Sequence, residues 1–364
     1  MMRNVCFFNS VKFWGGGERF YFDYALGFKK KGYNVFVVCD KDSVLSQKAR
    51  EHGLPQFNVS VNMLSALNPF KVLKLVRFFQ REQIEAVVFS TSQDLKLGGL
   101  TAKLAKVPNI AYRRGLAAPV KNRLVNRIIF RDILTHILAN SQETKRTILQ
   151  NLSDYIDANK IKVIYNGVKI DDTNPHQPGQ IDAIRQHRKG IVLGNAGRLT
   201  AQKGQKYLIE IAKALKEKNI EFSLFIAGSG EMQEELEALI AENNLQNEVF
   251  LLGFVEDMES YMNSIDIFLL TSIWEGFGYV LVEAMMQSKP IVAFNITSNP
   301  EIVLKDKTGF LVEYPDVEAF TQKTQLLIEN PALRQQLGET GKKSVKDRFR
   351  IEDRITEFEN FLKG

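Results

Sequence analysis

The sequence predicts an α/β protein built as two doubly wound, Rossmann-like domains facing a central cleft. Its length, its patterning and one interruption carry that prediction. At 364 residues the chain exceeds a single ordinary core and suits two domains of roughly 100–200 residues each. Short apolar runs alternate with amphipathic stretches of helical period, the arithmetic of βαβ units, because parallel strands need a crossover of a dozen or more residues. Near the middle the alternation breaks and then restarts, so the unit occurs twice.

Taken in order, Asn4 to Asn9 reads as a buried strand, Gly17 to Lys31 as a helix, Asn34 to Asp40 as a strand and Ser43 to His52 as a helix. Pro69 to Glu82 forms the next helix, before the strand Ala86 to Ser90, and Asn109 to Tyr112, Leu134 to Ala139 and Ile161 to Tyr165 continue the strands. Asp171 to Gly179, with two aspartates, two prolines and no apolar period, is the expected linker. Beyond it Ile191 to Ala196, Ser223 to Ala227, Val249 to Leu252, Ile267 to Thr271, Ile291 to Ala293 and Phe310 to Val312 read as strands, with helices over Gln205 to Lys218 and Glu231 to Asn243. The last stretch, Arg350 to Leu362, is again helix-patterned. The domains are expected at 1–174, joined by the terminal helix at about 350–364, and at 175–349.

With 45% apolar and 25% charged residues the chain is that of a folded protein, and disorder is excluded. No apolar run approaches the length of a membrane span, and the first residues lack a signal peptide's apolar stretch. The expected location is the cytoplasm, with room for peripheral attachment to the inner face of the cell membrane. Cys6 and Cys39 each sit in a strand-like run, and His52, His136, His176 and His187 have no ligand-like spacing, so neither a disulfide framework nor a metal site is expected. No cofactor is called for. Asp40-Lys41-Asp42 spells the Asp-x-Asp pattern of metal-dependent glycosyltransferases, but it follows the second strand without the rest of that fold and reads as coincidence. The net charge of +6 is divided: residues 1–175 hold 27 Lys plus Arg against 14 Asp plus Glu (+13), and residues 176–364 hold 21 against 28 (−7). The basic half suits a phosphorylated substrate, an anionic membrane or nucleic acid.

Ligands of such sheets lie outside the carboxyl ends of the strands. The first strand is followed by Trp14-Gly15-Gly16-Gly17-Glu18 entering a helix, where bare backbone N–H groups can approach an anion; a plain turn reads the same way. In Gly197-Arg198-Leu199-Thr200-Ala201-Gln202-Lys203-Gly204, Arg198 and Lys203 can neutralise a diphosphate without a metal, though alone they read equally as solvated loop residues. Gly228-Ser229-Gly230 is another glycine turn opening onto a helix, and Leu252 to Met258, with Phe254, Val255 and Met258, offers backbone groups beside an aromatic for a nucleobase. In Glu275-Gly276-Phe277-Gly278-Tyr279-Val280, the glycines free amides at a helix N-terminus and Glu275 can hold sugar hydroxyls or an electron-poor carbon. Glu283, about one turn into that helix, can accept from a ribose diol.

These motifs, with Asn166-Gly167-Val168, Pro290-Ile291-Val292-Ala293 and Glu301-Ile302-Val303, resemble in order and combination the retaining GT-B glycosyltransferases of family 4. The resemblance spans nearly the whole chain and is densest from residue 190 to 312. It implies a UDP- or GDP-sugar donor held mainly by the C-terminal domain and a glycan or lipid-linked acceptor on the N-terminal one, in cell-surface polysaccharide, lipopolysaccharide or glycolipid synthesis. Arg198 and Lys203 would then hold the diphosphate and stabilise its departing charge, and Glu275 would contact the donor sugar. The amides of Phe277 to Val280 would take the distal phosphate, Glu283 the ribose, backbone near Val255 the base, and the Gly16-Gly17 loop would close over the diphosphate. Metal-free transfer with retention is also implied. Many relatives carry a histidine after the fifth strand, where this chain has Ala111-Tyr112-Arg113-Arg114-Gly115; Arg113 or Arg114 can instead bind a phosphorylated or carboxylated acceptor.

Arg123, Arg127 and Arg131 are spaced i, i+4, i+8 on an expected helix, with Lys121 nearby and apolar residues among them. Such a helix can lie on an anionic membrane, and a packed helix with a solvated basic edge would look the same. Two rivals stand beside glycosyl transfer. A nucleotide-sugar epimerase would need cleft histidines that the strand-end loops of the second domain lack. A nucleic-acid-binding protein would need a recognition motif, and none is present.

Overall fold

The computed structural model describes residues 2–170 and 190–364. The chain divides into two compact units, Met1–Gly167 with Ile351–Gly364, and Val168–Arg350. The expected linker Asp171 to Gly179 and the expected boundary at 174/175 lie outside the described residues.

Unit 1 runs β1 (Asn4–Phe8), α1 (Gly16–Lys30), β2 (Asn34–Cys39), α2 (Val44–Glu51), β3 (Gln56–Asn58), α3 (Pro69–Arg81), β4 (Ala86–Phe89), α4 (Ser92–Leu104), β5 (Asn109–Arg114), α5 (Leu124–Ile128), β6 (His136–Ala139), α6 (Gln142–Leu152) and β7 (Ile161–Val163). The seven strands are parallel in the order β3-β2-β1-β4-β5-β6-β7. Central strands are covered on both faces, which is why β1 and β4 are unbroken apolar runs with every side chain from Val5 to Phe8 and Ala86 to Phe89 buried. Right-handed crossovers put the helices after β1 and β2 on one face and those after β3 to β6 on the other. The helices start where their side chains can satisfy free N–H groups: Ser43 accepts from Ser46, Asn68 from Phe70 and Lys71 ahead of Pro69, and Thr91 forms a reciprocal capping box with Asp94.

Unit 2 runs β8 (Ile191–Ala196), α7 (Gln205–Glu217), β9 (Phe222–Ala227), α8 (Gln233–Glu242), β10 (Val249–Gly253), α9 (Met258–Ser264), β11 (Ile267–Leu270), α10 (Tyr279–Met286), β12 (Ile291–Phe294), α11 (Asn299–Ile302), β13 (Gly309–Val312), α12 (Val317–Glu329) and α13 (Pro331–Arg348). Its six parallel strands follow the order β10-β9-β8-β11-β12-β13. The strand order reverses direction between β1 and β4 in unit 1 and between β8 and β11 in unit 2, and a doubly wound sheet opens a crevice at such a switch point.

The chain then returns. α14 (Ile351–Lys363) buries Ile351, Ile355, Phe358 and Leu362 in the unit 1 core, where Phe358 lies 6.3 Å from Phe20 and 5.9 Å from Tyr24, ring to ring. Within unit 2 the first and last residues lie side by side, since Val168 N donates to Phe349 O at 2.8 Å and Val168 pairs with Arg350 as a parallel bridge.

One expectation needs correcting. The basic stretch is not one straight helix: five α-helical residues, Leu124–Ile128, pass into a π-helical turn at Ile129–Ile133. The wider turn breaks the i, i+4, i+8 alignment, and Arg123 is only the N-cap. Arg131 is chelated by Asp132 through two bonds of 2.9 Å, and Arg127 donates to Asn122 at 2.7 Å with its guanidinium over the Tyr155 ring. Two of the four cations are already engaged.

Candidate active site

In unit 2 the loops after β8 and β11 flank the switch point, and they are sewn together. Ile273 N donates to Gln202 O at 2.8 Å, and Gln202 Nε2 to Trp274 O at 2.9 Å. The approach is close enough that a Cβ on Gly204, at φ 62°, would lie 2.3 Å from Thr271 O. Only glycine serves there. Across this seam Lys203 Nζ meets Glu275 Oε1 at 2.5 Å, with side chains only 15% and 7% exposed, and Ser272 Oγ donates to the same oxygen at 2.7 Å. Thr297 Oγ1 accepts from Glu275 N at 2.9 Å. Two of the three residues expected to carry catalysis are thus in direct contact, and Ser272 and Thr297, which no motif singles out, hold the carboxylate and its backbone.

The neighbouring strand ends join the same frame. Gly228 N donates to Gly253 O at 2.7 Å, Gly197 N to Ala227 O at 2.9 Å and Leu199 N to Ser229 O at 3.0 Å. At Gly228, φ 140°, a Cβ would fall 1.9 Å from Gly197 O, so this turn too excludes any side chain. Arg198 is exposed at the head of its loop, with its carbonyl accepting from Gln205 Nε2 at 2.9 Å. Phe254 is 80% exposed, while Val255 and Met258 are half-buried. Gly278, at φ 78°, caps α10; Phe277 is buried, Gly276, Tyr279 and Val280 are half-buried, and Glu283 sits half-buried in the second turn. Beneath the sheet end, the buried Tyr261 hydroxyl donates to Asn195 O (2.7 Å) and Phe225 O (2.8 Å), and burial pushes its pKa well up, so it is a fixed donor.

In unit 1 the switch point gathers Asn9 and Ser10 after β1 with Ser90, Thr91 and Asp94 after β4. Asn9 Nδ2 donates to Glu18 Oε1 (3.1 Å) and to Ser90 Oγ (3.2 Å), which ties the start of α1 to both strands. Ser10 Oγ donates to Asp94 Oδ1 at 2.5 Å; burial raises the Asp94 pKa against the bonds from Ser10 and Thr91 that favour its charge. Gly16 opens α1 and nothing lies within 4 Å of a Cβ placed on Gly17. Arg113 departs furthest from the appearance of a surface pair. It is only 5% exposed, donates through Nη2 to Asn166 at 2.8 Å, lies 4.6 Å from the Phe20 ring centre and leaves Nε without a partner. Arg114 is bound to Ala118 O at 2.6 Å and to the Tyr112 hydroxyl at 3.3 Å. Asp40 caps its own turn, accepting from Asp42 N at 3.0 Å. The two described histidines, His52 and His136, both belong to unit 1.

Both halves of the chain match known families. The family described as Glycosyl transferases group 1 matches residues 180–344, and that described as Glycosyltransferase Family 4 matches residues 14–172. An uncharacterized glycosyltransferase of Methanocaldococcus jannaschii is 30% identical over 256 residues, covering 69% of this chain and 67% of that one. The Escherichia coli UDP-Gal:alpha-D-GlcNAc-diphosphoundecaprenol alpha-1,3-galactosyltransferase is 26% identical over 306 residues, 79% of this chain and 78% of its own. Among solved structures, Anabaena HepE in complex with UDP and glucose superposes with a TM-score of 0.86 over 99% of both chains at 23% identity, a likeness of fold. Two switch-point sheets of this topology, each half matching its family, make the chain a GT-B glycosyltransferase of family 4.

Proposed function

We propose that this enzyme transfers a sugar, with retention and without a metal, from a UDP- or GDP-sugar to a glycan or lipid-linked acceptor in cell-surface polysaccharide, lipopolysaccharide or glycolipid synthesis. The observation that carries the reading is the Lys203–Glu275 pair at the unit 2 switch point, with Arg198 and the glycine-freed amides of 276–280 on the same loops. The similarity to a galactosyltransferase named for a UDP-sugar and a diphosphoundecaprenol acceptor, and to a fold relative holding UDP, supports the donor and acceptor classes.

In this reading Glu275 positions the Lys203 ammonium until a donor arrives. Lys203 and Arg198 then bind the diphosphate and stabilise the negative charge that grows as the sugar–phosphate bond breaks. Glu275 turns to the sugar hydroxyls, Glu283 to the ribose and backbone near Val255 to the base. The acceptor oxygen attacks the face the phosphate leaves, and its proton passes to the departing phosphate oxygen. Two protein cations supply the charge compensation, so the step requires no metal. Arg113, a buried cation that donates to Asn166, lies over the Phe20 ring and leaves Nε without a partner, is suited to an anionic acceptor group. The exposed Lys121 and Arg123 give unit 1 a basic edge toward an anionic membrane on the cytoplasmic side. Among the described residues no helix is long and apolar enough to cross a membrane.

The test is donor binding. UDP- or GDP-sugars should raise the melting temperature, and Glu283→Ala or Arg198→Ala should weaken binding by about 10- to 100-fold, the loss of a charged hydrogen bond. The anomeric proton coupling of the product should match the donor's, and turnover should survive excess chelator. If both variants bind donors like the wild type, the donor site lies elsewhere.

A further inference from the structure

Apart from Thr297 and Asp306, the described non-glycine residues at positive φ have a common place. Gln83, Lys106, Asn219, Asn244 and Ser288 each stand two residues past the end of a helix, where a left-handed residue ordinarily closes the last turn. Thr297, at φ 41°, instead precedes α11, and it is the β-branched residue of the set. A branched side chain crowds the backbone in this region, so the conformation is strained. The turn itself asks for glycine. Asn299 N donates to Ile296 O at 2.9 Å across Thr297 and Ser298, with Ser298 at φ −92° and ψ −6°. That is the pattern of a type II′ turn, whose first central residue is ordinarily glycine.

What threonine adds over glycine here is a hydroxyl, and the hydroxyl is engaged. Thr297 Oγ1 accepts from Glu275 N at 2.9 Å, and the buried Ser298 Oγ donates to Glu275 O at 3.4 Å. Asn299, also buried, lies against the other end of the same loop, with its Oδ1 3.7 Å from where a Cβ on Gly278 would stand. Three consecutive side chains of the β12–α11 turn therefore face the 275–278 loop. The turn is anchored on its far side as well. Asn295 N donates to Val312 O at 2.6 Å and Asn295 Nδ2 to Glu313 at 2.7 Å, while Arg348 holds the end of α11 through the carbonyls of Glu301 and Ile302. Strain persists where the surroundings over-determine it, and such places cluster at sites of function. With its N–H and C=O both bound, Glu275 keeps only its side-chain rotations for moving the carboxylate.

We propose that Thr297 is a positioning residue for the reaction: its strained turn fixes the backbone of Glu275, so that the carboxylate can leave Lys203 for the donor sugar without the loop moving. The inference rests on the donor-sugar role given to Glu275 above. Thr297 acts through Glu275 and touches no reacting atom, and the bond its hydroxyl makes offsets the strain of its φ.

The experiment compares Thr297→Ser, Thr297→Val and Thr297→Gly in the full chain. It reads melting temperature, affinity for UDP or GDP, and release of UDP or GDP from the nucleotide-sugar that most raises the melting temperature, with water as acceptor. Thr297→Val keeps the branched side chain and loses the acceptor atom, Thr297→Gly frees the backbone and loses the acceptor atom, and Thr297→Ser keeps the acceptor atom without the branch. Turnover should follow the hydroxyl. Thr297→Gly and Thr297→Val should each lose about 10- to 100-fold in kcat, the effect of misplacing a group by about an ångström, and Thr297→Ser less than about 3-fold. Melting temperature should instead follow the backbone, with Thr297→Gly above Thr297→Val. Affinity for UDP or GDP, which lack the sugar, should change by less than about 3-fold in all three. Wild-type turnover in Thr297→Gly, Thr297→Ser as slow as Thr297→Val, or turnover that ranks the variants as melting temperature does would each overturn the proposal. Glu275→Gln separates the two readings. If it is slow while Thr297→Gly is not, only this inference fails; if it turns over like the wild type, the role of Glu275 fails and this inference with it.

Discussion

Lys203 and Glu275 show how much a single residue carries in this site. Their pair is nearly dry, and removing one partner strands the other, a loss of about 3 kcal/mol or more for a buried ion. Lys203→Ala should therefore lower the melting temperature as well as abolish turnover. Adding Glu275→Gln should restore much of the melting temperature and none of the turnover; calorimetry beside a transfer assay separates the two effects. A single variant that melts like the wild type would show that the pair does not hold the two loops. Both residues were legible as candidates, because a cation and an acid beside glycines at strand ends are uncommon company. Their contact was not, and neither were Ser272 and Thr297, whose roles depend only on where the chain places them. Arg113 was legible as a cation, but its stacking on Phe20 and burial beside Asn166 were not.

Among the elements, α14 depends on a polar clasp at its edge. Glu359 accepts from Tyr33 Oη (2.5 Å) and Lys363 Nζ (2.5 Å) and pairs with Lys31. Burial pushes its pKa up, but the bonds from Lys31, Lys363 and Tyr33 outweigh that and bring it down to about 2. A carboxyl lowered in the folded state stabilises above its unfolded value of 4.5 and loses that contribution as the pH falls toward 2. The melting temperature gap between wild type and Glu359→Gln should thus be full near neutral pH and close progressively between about pH 5 and 2; a gap constant across that window would remove Glu359 from the docking of α14. Strands such as β1 and β4 were readable because burial on both faces demands unbroken apolar runs. β3 was not, being three residues of Gln56-Phe57-Asn58 at a sheet edge, and Gly98-Gly99 interrupt the apolar period of α4 where it packs on Phe89. The π-helical turn after α5 is invisible to a pattern of fours, which is why the arginine alignment did not survive folding.

At the scale of the whole molecule, the chain finishes unit 1 with its last helix. Deleting 351–364 removes four buried apolar side chains from that core, at about 1.5–3 kcal/mol each, a sum comparable with the stability of a whole domain. The truncated protein should lose the unit 1 transition in calorimetry and yield to protease within residues 1–167 while unit 2 resists; equal resistance in both units would show that unit 1 folds without α14. The division of charge, +13 against −7, also belongs to this scale: the basic half holds the cations of α3, and Arg198 and Lys203, the cations proposed to meet the diphosphate, lie in the acidic half. By itself the sequence determined two doubly wound units and the groups at their strand ends, because parallel strands and close backbone turns impose local, readable demands on residue type. Only the tertiary structure decided that Lys203 reaches Glu275 across 72 residues, that Arg113 is buried and that the Met63 to Leu73 face is left in solvent. Contact across a switch point and exposure of a helix face arise from non-local packing, which no local period encodes.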